Sequence, residues 1–290
     1  MTRLLICQMS VEQRRDLTRE WVNLSEVESQ LTNSLGLIKQ LKPNLVVMPE
    51  TCYFPEYKER YRAASASRLI VAGSYYNDDG INQTHYFLNG EHAVLDKLFP
   101  SPKEVMEINY PSTMQPDELF ANWESQIRQE TWPEYFVRLP NGDQYVVILN
   151  CMDYYKLGYY VASSSLIAPQ LWGIVSPCSN GQQDIFLRLS QAMHDSNSRL
   201  YSIVVNSNNA SRSADSDQGM SYVYGPATRN IKEYCAEKYG WTDPHPAAIC
   251  HLGTGAKAVV MDLLPPPKVE FFARSRDFRS NPTGIKIFDL

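Results

Sequence analysis

The sequence has no Cys-x-x-Cys pair, no histidines at metal-ligand spacing, no internal repeat, and no apolar run near the roughly 18 residues of a bilayer span. These absences exclude a zinc module, a solenoid and a membrane-spanning helix. An excess of positive charge is missing too. Lys and Arg number 27 against 32 Asp and Glu, a formal charge of −5, which removes the electrostatic footprint of a nucleic-acid binder. The start, MTRLLICQMSVEQRRDL, has no small-residue cleavage site and reads as a first strand rather than a signal peptide. Cysteine is sparse. Cys7, Cys52, Cys151, Cys178, Cys235 and Cys250 are scattered through 290 residues, which implies free thiols in a reducing cytoplasm rather than a disulfide scaffold. Apolar residues at 43% remain abundant enough for a sizeable core, so global disorder is excluded.

What is present is an alternation of short apolar runs and helical periodicity. LLICQM (4–9) reads as a strand, and Leu24, Val27, Leu31, Leu35, Ile38 and Leu41 mark an amphipathic helix that Pro43 and Asn44 stop. LVVMPE (45–50) is a second buried strand, and RLIVAGSYY (68–76) a third. THYFLNGEHAVLDKLFP (84–100) is a hairpin around Asn89-Gly90, the dipeptide that suits a two-residue type I′ turn. Residues 101–140 carry five prolines and lose periodicity, which predicts a long surface excursion. Strand and helix patterns return at 145–153, 171–177, 184–199, 201–208, 221–226 and 256–264. No composition shift marks a boundary. The expectation is one α/β domain over 1–275, with a C-terminal tail at 276–290.

Three strand ends deliver reactive side chains just beyond buried runs, where α/β folds place their sites. These are Glu50 after LVVMP, Lys97 after AVLD, and Cys151 after YVVILN. Singly each has an ordinary explanation: free Cys is among the most buried residue types, and a terminal Glu or Lys is usually a solvated cap. Together they supply what a catalytic thiol lacks. A thiol with a pKa of ~8.5 is mostly protonated at neutral pH; a carboxylate can take its proton, and an ammonium can stabilise the anion formed on addition to a carbonyl or nitrile.

In these three motifs the chain resembles the carbon–nitrogen hydrolase, or nitrilase, superfamily. LVVMPETCYF resembles its base strand, VLDKLFPSPKE its lysine strand, and VVILNCMDYY its nucleophile strand, where Asp follows Cys by two residues. LLICQM, VAGSYYNDDGINQTHYFLNG with Asn82, YSIVVNSN and SYVYGPATRN fall in the family's order around them. The resemblance implies a four-layer αββα sandwich of two stacked mixed sheets between helices. It implies Cys151 as nucleophile, Glu50 as base, Lys97 and the Met152 amide as oxyanion donors, and Glu104 as a second carboxylate in the pocket. Glu107 and Lys103 are the rivals of Glu104 and Lys97. Tyr53, Phe54 and Tyr154, with Met152, are the candidate substrate-binding residues. No metal or cofactor is implied.

The chain also departs from the family pattern. MDYYKLGYYVASS has no Pro-Glu after the nucleophile, and MHDSNSRLY replaces an Arg-Ala-x-Glu-Asn segment. The five histidines and GTGAK (253–257) read as ordinary structure, the latter as a turn. The leading functional expectation is a thiol hydrolase of non-peptide C–N bonds in small amides or nitriles, more amidase than nitrilase, working as a homodimer. The alternative is a regulatory module that keeps the fold with an altered pocket. An acyltransferase of the lipoprotein type would need membrane segments, and glutamine-dependent ammonia donation would need an ATP-binding domain; neither appears in the sequence.

Overall fold

Along the first strand, Leu4 and Ile6 belong to one core and Leu5 and Cys7 to another, and all four are fully buried. Side chains alternate sides along a strand, so this one must be covered on both faces. The computed structural model, which describes residues 1–11, 23–107, 115–140, 142–163, 170–179, 183–195, 199–207, 219–225, 248–264 and 283–290, shows how.

In chain order the elements begin with β1 (Thr2–Gln8), α1 (Leu24–Leu41), β2 (Leu45–Val47), α2 (Lys58–Ala64), β3 (Leu69–Tyr76), β4 (Asn82–Leu88) and β5 (Glu91–Asp96). There follow α3 (Pro102–Glu107), α4 (Pro116–Arg128), β6 (Phe136–Arg138), β7 (Tyr145–Ile148), α5 (Met152–Ser163), β8 (Leu171–Cys178) and α6 (Gln183–Asp195). The last are β9 (Tyr201–Asn206), β10 (Tyr222–Tyr224), β11 (Ala248–His251), β12 (Lys257–Leu263) and β13 (Thr283–Asp289). They form a seven-stranded sheet ordered β13-β12-β1-β2-β3-β4-β5 and a six-stranded sheet ordered β11-β10-β9-β8-β7-β6. Both sheets are mixed: β1-β2-β3 and β7-β8-β9 pair in parallel, and the flanking strands pair antiparallel.

Leu4, Ile6, Leu45, Val47, Leu69 and Val71 share one central core with Val146, Ile148, Ile174 and Val205 of the second sheet. Leu5, Val46 and Ile70 instead meet the stripe Val27, Leu31, Leu35 and Ile38 of α1 in an outer core. Leu157 and Val161 of α5 join the central cluster from the far side of the second sheet, so the layering is helix, sheet, sheet, helix. This is the αββα sandwich expected from the sequence. Gln8 ties the sheets to their loops: its side-chain amide donates to the carbonyls of Gly253 and Gly255, both at 2.7 Å, and its oxygen accepts from the Ser221 amide, also at 2.7 Å. The Asn89-Gly90 turn has positive φ at both residues, 52° and 86°, as a type I′ hairpin requires.

Two expectations are corrected. The described residues of 101–140 are not an irregular excursion, because α4 buries Leu119, Phe120 and Trp123 and β6 extends the second sheet. Pro116 stands in the first turn of α4, where its missing N–H costs nothing, so prolines there delimit elements rather than abolish them. The segment read as a tail supplies β13, which pairs with β12 from Lys257 opposite Asp289 to Asp262 opposite Thr283. The sheet therefore continues past position 275, because β13 takes up the edge hydrogen bonds of β12.

One glycine controls the approach of β3 to the site. Gly73 has φ of +91°, lies in the irregular step of the β3–β4 pairing, and an ideal Cβ on it would sit 2.2 Å from the Pro49 carbonyl oxygen. Gly73→Ala is therefore expected to cost at least about 1–3 kcal/mol through strain at positive φ, with the clash adding to it. Urea unfolding measures this, and a near-native midpoint would contradict it.

Candidate active site

The site is built from strand ends of both sheets. Past β2, Met48 still donates to the Val71 carbonyl, and the chain then turns at Pro49 into Thr51, whose φ is +62° and whose amide is held by Ser74 Oγ at 3.0 Å. This turn aims Glu50 toward the second sheet, where its amide donates to the Cys178 carbonyl at 3.3 Å. Lys97 follows edge strand β5, its amide bonded to the Asn82 carbonyl at 2.9 Å. Cys151 lies between β7 and α5, with φ of +49° and its amide bonded to the Pro177 carbonyl at 3.0 Å. A non-glycine residue at positive φ is strained, and here the strain sits at Cys151.

Glu104 arrives by a different device. Ser101 caps α3: its Oγ accepts from the Glu104 amide at 3.2 Å, while the Glu104 carboxylate accepts from the Ser101 amide at 2.6 Å. This is a capping box, with Pro102 at the first helical position. The expected return of Glu104 toward Lys97 is thus achieved by a helix start rather than by proline stiffness alone.

The side chains converge on the Lys97 ammonium. Nζ donates to Glu50 Oε1 at 2.8 Å and to Glu104 Oε2 and Oε1 at 2.9 and 3.0 Å, all three residues being buried. Asn82 Nδ2 bridges the carboxylates, 2.7 Å from Glu50 and 3.1 Å from Glu104. The Tyr76 hydroxyl donates to Glu104 at 3.0 Å, and Ser179 Oγ donates to Glu50 Oε2 at 2.6 Å.

Burial opposes the charged lysine, but the carboxylates of Glu50 and Glu104 outweigh it and hold Lys97 well above the ordinary range. For Glu104, burial is overcome by the Lys97 charge and by hydrogen bonds from Ser101, Lys97 and Asn82, which bring the carboxyl down to about 2. The Cys178 thiol, burial and the Glu50 carboxylate push the Cys151 thiol well up, against the pull of Lys97. A neutral thiol therefore rests beside an ionised Lys–Glu cluster and ionises only when its proton is taken.

Glu50, Lys97, Glu104 and Cys151 are thus brought together. Lys97 supplies the ammonium; the side chains of Lys103 and Glu107 lie outside the described residues. Met152 opens α5, so its amide is among those a helix cannot satisfy internally. The other expected pocket residues are rings with packing partners of their own. Tyr53 and Phe54 pack in the outer core, Tyr53 stacked on His85 with ring centroids 3.8 Å apart. Tyr154 is fully buried in the central core, bonded to Ser190, which also reaches the Tyr222 hydroxyl at 3.1 Å. These rings are taken up by packing, the ordinary fate of aromatics beside buried strands. Sequence reasoning did not single out Tyr76, Ser101, Ser179 or the thiol of Cys178; only Ser101 had a signal, the Ser-x-x-Glu spacing.

Asp153 also holds the site. Its Oδ1 accepts from the Phe99 amide at 2.7 Å, fixing the chain just after Lys97, while Oδ2 is buried with no partner among the described residues.

With this geometry in hand, the fold class can be compared with known proteins. No family model matches the chain, and a search of curated proteins returns no match. Solved structures do match. An amidase from Nesterenkonia sp. AN1, bearing the acetamide moiety of fluoroacetamide on its active-site cysteine, is 14% identical with a TM-score of 0.58, covering 91% of each chain. NitN amidase from the same source is 13% identical with a TM-score of 0.56, covering 95% of this chain and 97% of that one. Saccharomyces cerevisiae Nit3, a member of branch 10 of the nitrilase superfamily, is 14% identical with a TM-score of 0.57 over 96% of this chain and 97% of that one. The fold of this chain is the nitrilase-superfamily fold.

Burial raises the Asp153 carboxyl to about 7, against Lys97 and the amides of Phe99 and Leu98. An unfolded aspartate titrates near about 3.9. The folded state therefore binds the proton more tightly, and this stabilisation is full below about pH 4 and lost as pH rises through the folded value. Relative to Asp153→Asn, the wild-type protein is expected to lose unfolding free energy between about pH 4 and 8. Parallel urea titrations across that range measure it, and a pH-independent difference would refute it.

Proposed function

We propose that the chain is a carbon–nitrogen hydrolase of the nitrilase superfamily that cleaves small amides through a thioester on Cys151. The observation that carries this reading is the buried Glu50–Lys97–Glu104 cluster beside a strained cysteine at the ends of both sheets. The amide preference is supported by the similar folds, among them the Nesterenkonia amidase solved in complex with butyramide.

The chemistry follows from the charges. Glu50 takes the thiol proton as Sγ adds to the carbonyl carbon. Lys97 and the Met152 amide stabilise the oxyanion, and the proton passes from Glu50 to the departing amine. Water then adds to the thioester, Glu50 accepts its proton, and the carboxylic acid and free thiol are released. Glu104 keeps Lys97 charged and, with Asn82, oriented. This differs from a regulatory module in one respect that can be measured: a covalent acyl-enzyme must form. Intact-mass spectrometry after incubation with short amides and nitriles is expected to show an acyl adduct on Cys151, absent from Cys151→Ala. Turnover of Lys97→Met should fall by at least ~10²–10³, the usual loss for one oxyanion donor. No adduct from any compound, or full activity in Cys151→Ala, would overturn the mechanism.

Cys7, Cys52, Cys151 and Cys178 are buried free thiols, which supports a reducing, cytoplasmic setting. Among the described residues, no helix is long and apolar enough to cross a membrane. A homodimer is part of the same proposal, supported by Tyr155, Tyr159 and Tyr160, which expose their rings on α5. Two-fold pairing is the commonest arrangement for soluble oligomers. Light scattering at micromolar concentration should return twice the chain mass of 33.1 kDa; the monomer mass would reject it.

A further inference from the structure

Cys178 is a second thiol at the nucleophile, and the hydrolysis derived above makes no use of its sulfur. Strands β7 and β8 run parallel with Ile148 opposite Val175, and this pairing persists beyond the end of β7. The Leu149 amide donates to the Val175 carbonyl at 2.9 Å and the Cys151 amide to the Pro177 carbonyl at 3.0 Å. Cys151 and Cys178 are therefore lateral neighbours. Adjacent strands lie about 4.8 Å apart, inside the Cα separations of about 4.4–6.8 Å that disulfides span. Both thiols are buried, and Cys178 is among the groups that push the Cys151 thiol up. Cys178 is also held in place, because its carbonyl accepts from the amides of both Glu50 and Ser207 and its sulfur lies 3.4 Å from Ser176 Oγ.

We infer that Cys178 is a resolving thiol, which joins Cys151 in a reversible disulfide when a hydroperoxide oxidises the nucleophile. In the first step Glu50 takes the Cys151 proton and the sulfur attacks the terminal oxygen of the peroxide. The O–O bond breaks, Cys151 becomes a sulfenic acid, and the displaced hydroxide leaves as water with the proton from Glu50. In the second step the Cys178 sulfur attacks the sulfenic sulfur. The S–O bond breaks, the S–S bond forms, and the Cys178 proton leaves with the hydroxyl as a second water. The net change converts two thiols and one hydrogen peroxide to one disulfide and two waters. A disulfide stops Cys151 short of the sulfinic and sulfonic acids that cytosolic reductants do not restore. In a reducing compartment it would be transient, as such bonds usually are.

The inference requires Cys151 to be nucleophilic, as the hydrolase reading does, but not that any amide is turned over. The test is accordingly made on the thiols. Protein treated with hydrogen peroxide, then denatured and alkylated with N-ethylmaleimide, is read by intact mass and peptide mapping. Wild type is expected to lose two alkylatable thiols, to yield a Cys151–Cys178 cross-linked peptide, and to regain both thiols with dithiothreitol. Cys7 and Cys52 should remain alkylatable. In Cys178→Ala the same treatment should add oxygen atoms to Cys151 that dithiothreitol does not remove. Wild-type protein that gains those oxygens without the cross-link, pairs Cys151 with another cysteine, or leaves Cys151 unoxidised would overturn the proposal. The wild-type map decides the matter even if the variant fails to fold.

Discussion

The Lys97 ammonium, clamped between two buried carboxylates, is the interaction on which the rest of the site depends. Three ionised groups removed from water carry a desolvation cost that a single ion pair does not recover. The cluster answers it with hydrogen bonds to almost every available lone pair: Asn82, Tyr76, Ser101 and Ser179 all donate into it. Removing the lysine would leave two carboxylates facing one another without compensation. The same arrangement that orients Glu50 and Lys97 therefore holds the ends of β3, β4 and β5 in register.

The second constraint is the joint between the sheets. Glu50 belongs to a loop of the first sheet, yet its amide bonds to the Cys178 carbonyl of the second, and Ser179 reaches back to its carboxylate. Cys151 is tied to the same β8 end through Pro177. Glu50 and Cys151 thus share one anchor, so a change in the spacing of the sheets would displace both together. Positive φ at Thr51 and Cys151 is the backbone cost of aiming two side chains into one small space.

Much of this was legible before any coordinates. The unbroken apolar run LLIC and spacings of three and four in 24–41 lead to the layers, because a strand apolar on both sides must be covered on both faces and a helical stripe buries one side. The residues Glu50, Lys97 and Cys151 stood out because strand ends are where α/β folds expose reactive groups. Helix α4 was obscured by the count of prolines around it, although Pro116 occupies a position helices tolerate. Strand β13 was obscured because an edge strand, half solvated, has no strong apolar pattern to read.

Local sequence alone determined the elements and the chemical identities of the carboxylate, ammonium and thiol, since propensity, periodicity and residue type act over a few positions. Tertiary structure decided which side chains meet. Tyr53 and Phe54 stand directly after Thr51 and Cys52 in sequence yet turn into the outer core, while Ser179, more than a hundred positions from Glu50, hydrogen-bonds to it. The reason is that the packing of one sheet on another sets distances across the interface, and no short-range rule encodes them. Cys178 beside Cys151 is the plainest case: their adjacency exists only because β7 and β8 pair in that register.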